Sequence, residues 1–423
     1  MLLLLGIFAV LLAIGVPIAF ALGLAGVAYL VNETPLPMLA VFQRMFTSLD
    51  SFPFLAIPFF ILAGALMNGS GLSEQIINFS RTLVGHLRGG LANVSIVASM
   101  FFGGVSGSAI ADSSALGSIL IPAMKREGYH ARFAAAINAT SSTMGIIIPP
   151  SIPMILAGVA TQLSIRELFF GGIVPGVMVA LGMILMTTYL AKKRGYQKYE
   201  RASVRDVLVA GVRALPALGL VLIILGGIMA GVFTATEASV AAVLYALLLG
   251  LIYRRWSMPL LYRACVETVV SSAVVMIVIS TAGFITWLLA YSLIPQALAT
   301  SIGGTIDNPV VLLSLLALMF LLAGTILDVS PGVLLFGPIL LPVVRAVGID
   351  PIHFGVVMVF GLAIGLFTPP VGTTMMISAH IAKTPVLGVA RESVPYLFVM
   401  VVILFLLVFF SGLVLWLPTT LFR

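Results

Sequence analysis

"GIIIPPSIPM" at 145–154 and "GLFTPPVGTT" at 365–374 decide how this chain is read. Each places two consecutive prolines inside a run otherwise apolar enough to cross a bilayer as a helix. Proline has no N–H and its ring displaces the carbonyl four residues earlier, so each pair interrupts a helix at mid-depth. Pro149 and Pro150 release the carbonyls of Gly145 and Ile146, and Pro369 and Pro370 release those of Gly365 and Leu366. Such carbonyls persist in the hydrocarbon region only inside protein or beside water, and a desolvated cation is a suitable partner. Past each break a second half-helix starts with unpaired N–H groups, which favour an anion. Each broken helix therefore offers a Na⁺ site on one side and a carboxylate site on the other. A proline kink that only shapes the bundle is the plainer alternative, and the recurrence of the doubled proline argues against it.

With 61% hydrophobic residues, 8% charged residues and a mean hydropathy of +1.22, the chain is a polytopic helical membrane protein. Ten-residue alternating segments are absent, which argues against a β-barrel. The apolar N-terminus lacks a basic leader and outruns a signal-peptide core, so it reads as a retained first span. Cys265 is the only cysteine, which excludes an internal disulfide and a cysteine-based metal cluster. The net charge of +7 concentrates in "KKRGYQKYERASVRD" and marks cytoplasmic loops rather than a nucleic-acid partner.

Spans are expected at 3–30, 52–68, 130–163, 168–190, 214–232, 236–252, 265–290, 352–382 and 394–417. Basic loops at Arg81–Arg88, Lys125–Arg126, Lys192–Arg213 and Arg254–Arg263 should share the cytoplasmic side. Leu72, Ile76, Phe79, Leu83 and Leu87 recur at helical spacing among charges and predict an interfacial helix. The polar middle of 90–124, "GGVSGSAIADSSALG", predicts a re-entrant hairpin. The stretch 309–342, centred on "AGTILDVSPG", has the same form and should enter from the opposite face.

The two halves are a repeat. Shifting 104–158 by 220 superimposes it on 324–378 without a gap, with nine identities of which seven are Gly or Pro, the residues that set backbone geometry. The fold class is thus an all-α polytopic membrane protein of inverted-repeat type, with two re-entrant helical hairpins and two broken helices. A first repeat covers 1–190, with a hairpin at about 90–124 and a broken helix at about 130–163. A basic loop and connecting helix cover 191–235. The second repeat covers 236–423, with a hairpin at about 309–342 and a broken helix at about 352–382. Paired interrupted helices in inverted repeats point to the midplane site of a secondary transporter.

The hairpin tips supply oxygens: Ser106, Ser108, Asp112, Ser113 and Ser114 in the first, Thr325, Asp328 and Ser330 in the second. Intramembrane acids are expensive and default to function. A helix N-cap is the alternative for both aspartates. For Asp112 both readings stand open, and for Asp328 the ion site is favoured. Glu237 reads as interfacial, His380 and Lys383 as the cytoplasmic end of the last broken helix, and Arg345, matching Lys125, as a rim position.

"FFGGVSGSAIADSSALGSILIPAMKREGY" followed by "IIIPPSIPMILAG", and "ILDVSPGVLLFGPILLPVVRAVGID" with "GLFTPPVGTTM", resemble the large membrane subunit of tripartite ATP-independent periplasmic (TRAP) transporters, the DctM-like family. The resemblance spans nearly the whole chain. It implies Na⁺-driven uptake of an organic anion, such as a C4-dicarboxylate, sialic acid or another sugar acid, by an elevator movement in a bacterial inner membrane. It also implies two partners, a small four-helix membrane subunit and a periplasmic substrate-binding protein, with no organic cofactor and no enzymatic activity. Carried over by position, one Na⁺ site falls on Gly104, Ser106, Ser108, Asp112, Gly145 and Ile148. The other falls on Gly324, Asp328, Gly365, Thr368 and Val371. The substrate carboxylate falls to Ser113, Ser114, Ser151, Gly372, Thr373 and Thr374.

A self-sufficient Na⁺/dicarboxylate symporter shares the hairpin architecture without a binding protein. An intramembrane serine protease, prompted by "GVSGSA" and His380, needs a base beside a serine and leaves the duplicated Pro-Pro unexplained. No HExxH or Walker loop is present.

Overall fold

The computed structural model describes residues 2–303 and 306–422, and no strand occurs among the described residues. The N-terminus forms two helices packed on each other, α1 (Leu2–Ala13) and α2 (Ile18–Glu33), instead of the single span expected over 3–30. Gly15, at φ +84°, and Pro17, which lacks an N–H, supply the break. After α3 (Leu39–Thr47) and a 3₁₀ turn at Phe52–Leu55 comes α4 (Ala56–Gly69). The amphipathic helix follows as α5 (Leu72–Val84), burying Leu72, Ile76 and Ile77 and exposing Glu74, Asn78 and Arg81.

The first hairpin is α6 (Gly90–Ser106) and α7 (Ala109–Arg126), lying against each other. The first broken helix consists of α8 (Ala131–Ser141), the single turn α9 (Met144–Ile147) and α10 (Ile152–Thr161), bent by 40° at the prolines. Long helices α11 (Ile165–Arg194), α12 (Val204–Met229), α13 (Ala235–Ile252) and α14 (Met258–Tyr291) lead to α15 (Ile294–Gly303). Reciprocal capping boxes, Ser203 with Asp206 and Thr234 with Glu237, start α12 and α13, which places Glu237 at a span end.

The second hairpin is α16 (Pro309–Gly324) and α17 (Val329–Ala346). The second broken helix is α18 (Pro351–Ile364), a 3₁₀ turn at Gly365–Phe367, and α19 (Thr373–Ala382). The chain closes with α20 (Val386–Phe409) and α21 (Gly412–Phe422). The span expected over 394–417 is therefore two helices, parted where Phe410 leaves helical geometry at φ −122°, ψ 80°. Among the described residues seven helices are long and apolar enough to cross a membrane, or eight if the bent pair is one span.

The repeats are interlocked. α10 packs on α17 and α18, whereas α19 packs on α7 and α8, so each outgoing half-helix docks on the hairpin and first half-helix of the other repeat. The register corrects the gapless superposition. Helices α7 and α17 start 220 residues apart, as do α8 and α18, but α10 and α19 start 221 apart. Their C-caps, Gln162 at φ 55° and Lys383 at φ 53°, keep the 221 spacing. The second repeat thus carries one extra residue after its prolines.

Several basic segments gather at one end of the molecule. The Arg81 guanidinium lies 4.2 Å over the Tyr199 ring, and the Tyr199 N–H donates to Gly85 O at 3.1 Å. Lys125 Nζ donates to Ala382 O at 3.0 Å, and Arg194 pairs with Glu392 at 2.7 Å.

Candidate functional site

The tip of each hairpin meets the break of its own repeat through one backbone hydrogen bond. Ile152 N donates to Gly107 O at 3.3 Å in the first, and Val371 N donates to Thr325 O at 3.2 Å in the second. Both Pro–Pro peptide bonds are cis. Glycines permit the approach. A Cβ on Gly103 would lie 2.5 Å from Gly145 Cα, and one on Gly365 would lie 2.0 Å from Gly324 O, so backbone touches backbone at both places.

At the first meeting point Asp112 is not the N-cap of α7. Ser108 is the N-cap of α7, its Oγ accepting from Ala111 N at 3.4 Å, which places Asp112 inside the first turn. Asp112 is fully buried. Ser106 Oγ donates to Asp112 Oδ1, and Asp112 Oδ2 has no hydrogen-bond partner. That free oxygen faces the break: a Cβ added to Gly145 would sit 2.5 Å from it. Gly104 lies beside Pro149 O, 3.3 Å from where its own Cβ would be. Ile148 takes extended geometry and packs its side chain on Gly176 of α11.

The four released carbonyls do not share one fate. Ser151 Oγ donates to Ile146 O, Thr374 Oγ1 donates to Leu366 O at 2.9 Å, and Thr368 N donates to Gly365 O at 3.0 Å. Only Gly145 O lacks a local donor, because Ile148 N bonds Met144 O and Pro149 has no N–H. The expectation of four free carbonyls is therefore corrected to one. The hydroxyls and amides next to each break fold back and satisfy the others.

At the second meeting point Asp328 is the N-cap of α17. It is half-buried, and its Oδ1 accepts from Val329 N at 2.6 Å. Thr368 Oγ1 donates to Ile364 O at 2.7 Å. The hairpin reaches the break through Gly324 and Thr325 O, and no hydrogen bond joins Asp328 to Thr368. Pro369, Pro370 and Val371 are exposed beside a groove of 180 Å³ lined by Phe367, Thr368, Pro369, Arg391 and Ser393.

The outgoing half-helices also differ. Ser151 caps α10, accepting from Met154 N at 3.4 Å, whereas α19 starts at Gly372, φ +51°, with no side-chain cap. Thr373 Oγ1 beside it is buried without a partner. Ser114 is exposed, while Ser113 is buried in a cluster that sequence reasoning missed. Ser113 Oγ lies 3.0 Å from Ser378 Oγ and donates to Thr374 O at 3.3 Å. Asn138 Nδ2 donates to Ser113 O at 3.0 Å and to Ser378 Oγ at 2.9 Å. The run "NATSST" at 138–143, polar inside an apolar span, was the available signal.

Paired hairpins and broken helices in interlocked repeats, meeting at buried polar groups, define a secondary transporter of inverted-repeat construction. The chain belongs to the family described as "Tripartite ATP-independent periplasmic transporter, DctM component", which matches residues 5–413. It is 38% identical over 411 residues to the sialic acid TRAP transporter large permease protein SiaM of Vibrio cholerae, covering 96% of each chain. It is also 38% identical over 401 residues to the isethionate TRAP transporter permease protein DctMQ of Oleidesulfovibrio alaskensis, covering 94% of this chain and 63% of that one. The fold is similar to the Alcanivorax borkumensis YdaH transporter, with a TM-score of 0.64 at 17% identity over 97% of this chain and 98% of that one. The chain is a large permease of this family, which is a family of transporters and not of enzymes. The protease reading falls with that, and His380 is exposed on α19.

Proposed function

We propose that this permease couples the import of an organic anion to Na⁺ entry. The observation that carries the proposal is the fully buried Asp112, whose Oδ2 has no partner and faces the first break. A buried carboxylate without a cation is costly, and this one is accompanied by the Ser106 hydroxyl and the unpaired Gly145 carbonyl. These are hard oxygen donors only, the set that suits an alkali cation rather than a transition metal. Gly324, Gly365, Thr368, Asp328 and Val371 form a second, more open Na⁺ site at the other break.

The anion binds where α19 begins. Gly372 leaves that helix end uncapped, and the Thr373 hydroxyl and the helix N-terminus favour negative charge there. The two relatives named above carry sialic acid and isethionate in their names, so the substrate class is an organic acid such as a dicarboxylate or sugar acid. A periplasmic binding protein delivers the anion, and a small four-helix membrane subunit holds the permease in the bacterial inner membrane. The hairpins and broken helices move as an elevator, and the basic end faces the cytoplasm.

Reconstitution with both partners and a panel of labelled organic acids tests this. Uptake should require an inward Na⁺ gradient, be indifferent to ATP and be negligible without the binding protein. Uptake that survives replacement of Na⁺ by K⁺ and collapses without a proton gradient overturns the Na⁺ coupling.

A further inference from the structure

The two interlocked docking surfaces are related by the repeat, yet among the described residues only one is crossed by side-chain hydrogen bonds. Where α19 meets α7 and α8, the facing residues are Ser378, Ser113 and Asn138, all fully buried. The corresponding positions where α10 meets α17 and α18 are Ala157, Val333 and Met358, also fully buried. The apolar set shows that this packing needs no hydrogen bonds. The polar set also leaves Asn138 Oδ1 buried without a partner, which is unfavourable. The amide orientation is fixed, because Ser113 O is an acceptor only and the group 3.0 Å from it must be the NH₂. Gly117 makes room for it, since a Cβ there would lie 2.6 Å from Asn138 Nδ2.

The cluster lies between the two breaks. Ser113 directly follows Asp112, whose carboxylate faces the first break. Its hydroxyl reaches Ser378 Oγ and Thr374 O, and the Thr374 hydroxyl in turn holds Leu366 O in the second break. Asn138 bonds both sides of the contact. Hydrogen bonds linked through Thr374 therefore connect the helix turn that carries Asp112 to the backbone of the other break.

We infer that Asn138 is a positioning residue that couples the two sites, so that occupation of the first break sets the geometry of the second. The inference rests on the Na⁺ reading given above. When Na⁺ draws Asp112 and the first turn of α7 toward Gly145, Ser113 moves with it. The Asn138–Ser378 bonds carry that shift to α19, where Thr374 fixes Leu366. An apolar interface packs equally well but slides without directional restraint, and so transmits less.

The test compares the wild-type complex with the variant Asn138→Met/Ser113→Val/Ser378→Ala, which installs the residues of the related interface. The readout is the Na⁺ concentration dependence of uptake in proteoliposomes at fixed substrate. Wild type should show a Hill slope approaching two, the number of coupled sites, and the triple variant a slope of about one. Ser378→Ala and Thr374→Val, each removing one hydroxyl, should give intermediate slopes, and Ser378→Thr should restore the wild-type value. These single variants decide the matter if the triple variant does not fold. A cooperative slope unchanged in the single variants overturns the coupling while leaving Na⁺ dependence intact. Loss of Na⁺ dependence in the wild type strikes the functional proposal instead.

Discussion

Pro149 and Pro150 are buried, and the carboxylate of Asp112 is enclosed beside them, whereas Pro369 and Pro370 lie exposed beside a groove. The same backbone device therefore works in two environments. At the first break the chain presents a buried acid with one unpartnered oxygen, a free carbonyl and a capped outgoing helix. At the second it offers an acid already committed to its own helix, satisfied carbonyls and an uncapped helix start. Pseudo-symmetry fixes where polar backbone is exposed, and side chains then give each break a different set of polar groups.

Substitutions at the close approaches break the comparison most severely. Gly365→Ala places a methyl 2.0 Å from Gly324 O, a backbone atom, and should abolish recovery of folded transporter by size-exclusion chromatography. Gly145→Ala meets the Asp112 carboxylate at 2.5 Å and the Gly103 backbone only at 3.2 Å, a milder clash, so it should fold in reduced yield and lose Na⁺-driven uptake.

Charge removal should separate the breaks next. Asp112→Asn removes an enclosed charge whose attraction for Na⁺ is on the order of 3 kcal/mol, so half-saturating Na⁺ should rise about 100-fold. Asp328→Asn keeps a side-chain oxygen for Val329 N at a half-buried position, and the rise should be under about tenfold. Equal shifts for the two variants would erase the distinction between the sites.

Hydroxyl removal should act more weakly. Ser151→Ala deletes the α10 cap and the donor to Ile146 O and should lower stability by about 1–2 kcal/mol, read as a drop in melting temperature. Thr368→Val removes one bond to Ile364 O and should cost about 1 kcal/mol with a small change in Na⁺ requirement. Arg345→Gln, in the last turn of α17, should leave Na⁺ dependence unchanged.

Hairpins and breaks were legible in the sequence because Gly and Pro dictate backbone geometry locally. The amphipathic α5 was legible for a similar reason, its period being written into thirteen consecutive residues. Asp112 was harder to read, because its role depends on whether α7 begins at Ser108 or later, a matter of one turn. The pair of helices at the N-terminus is marked only by Gly15 and Pro17, and a single proline in an apolar run fits a kinked span equally well. Asn138 was visible as a polar residue, but Ser378 lies 240 residues away and only the interlocking of repeats brings them together.

Sodium binding to the purified complex, followed by titration calorimetry in wild type and Asp112→Asn, tests the central claim most directly. The buried carboxylate at the first break should account for the tighter binding event, and Asp112→Asn should weaken that event about 100-fold while keeping the other unchanged. Sodium affinities identical in the two proteins would contradict the assignment of Asp112 to the ion.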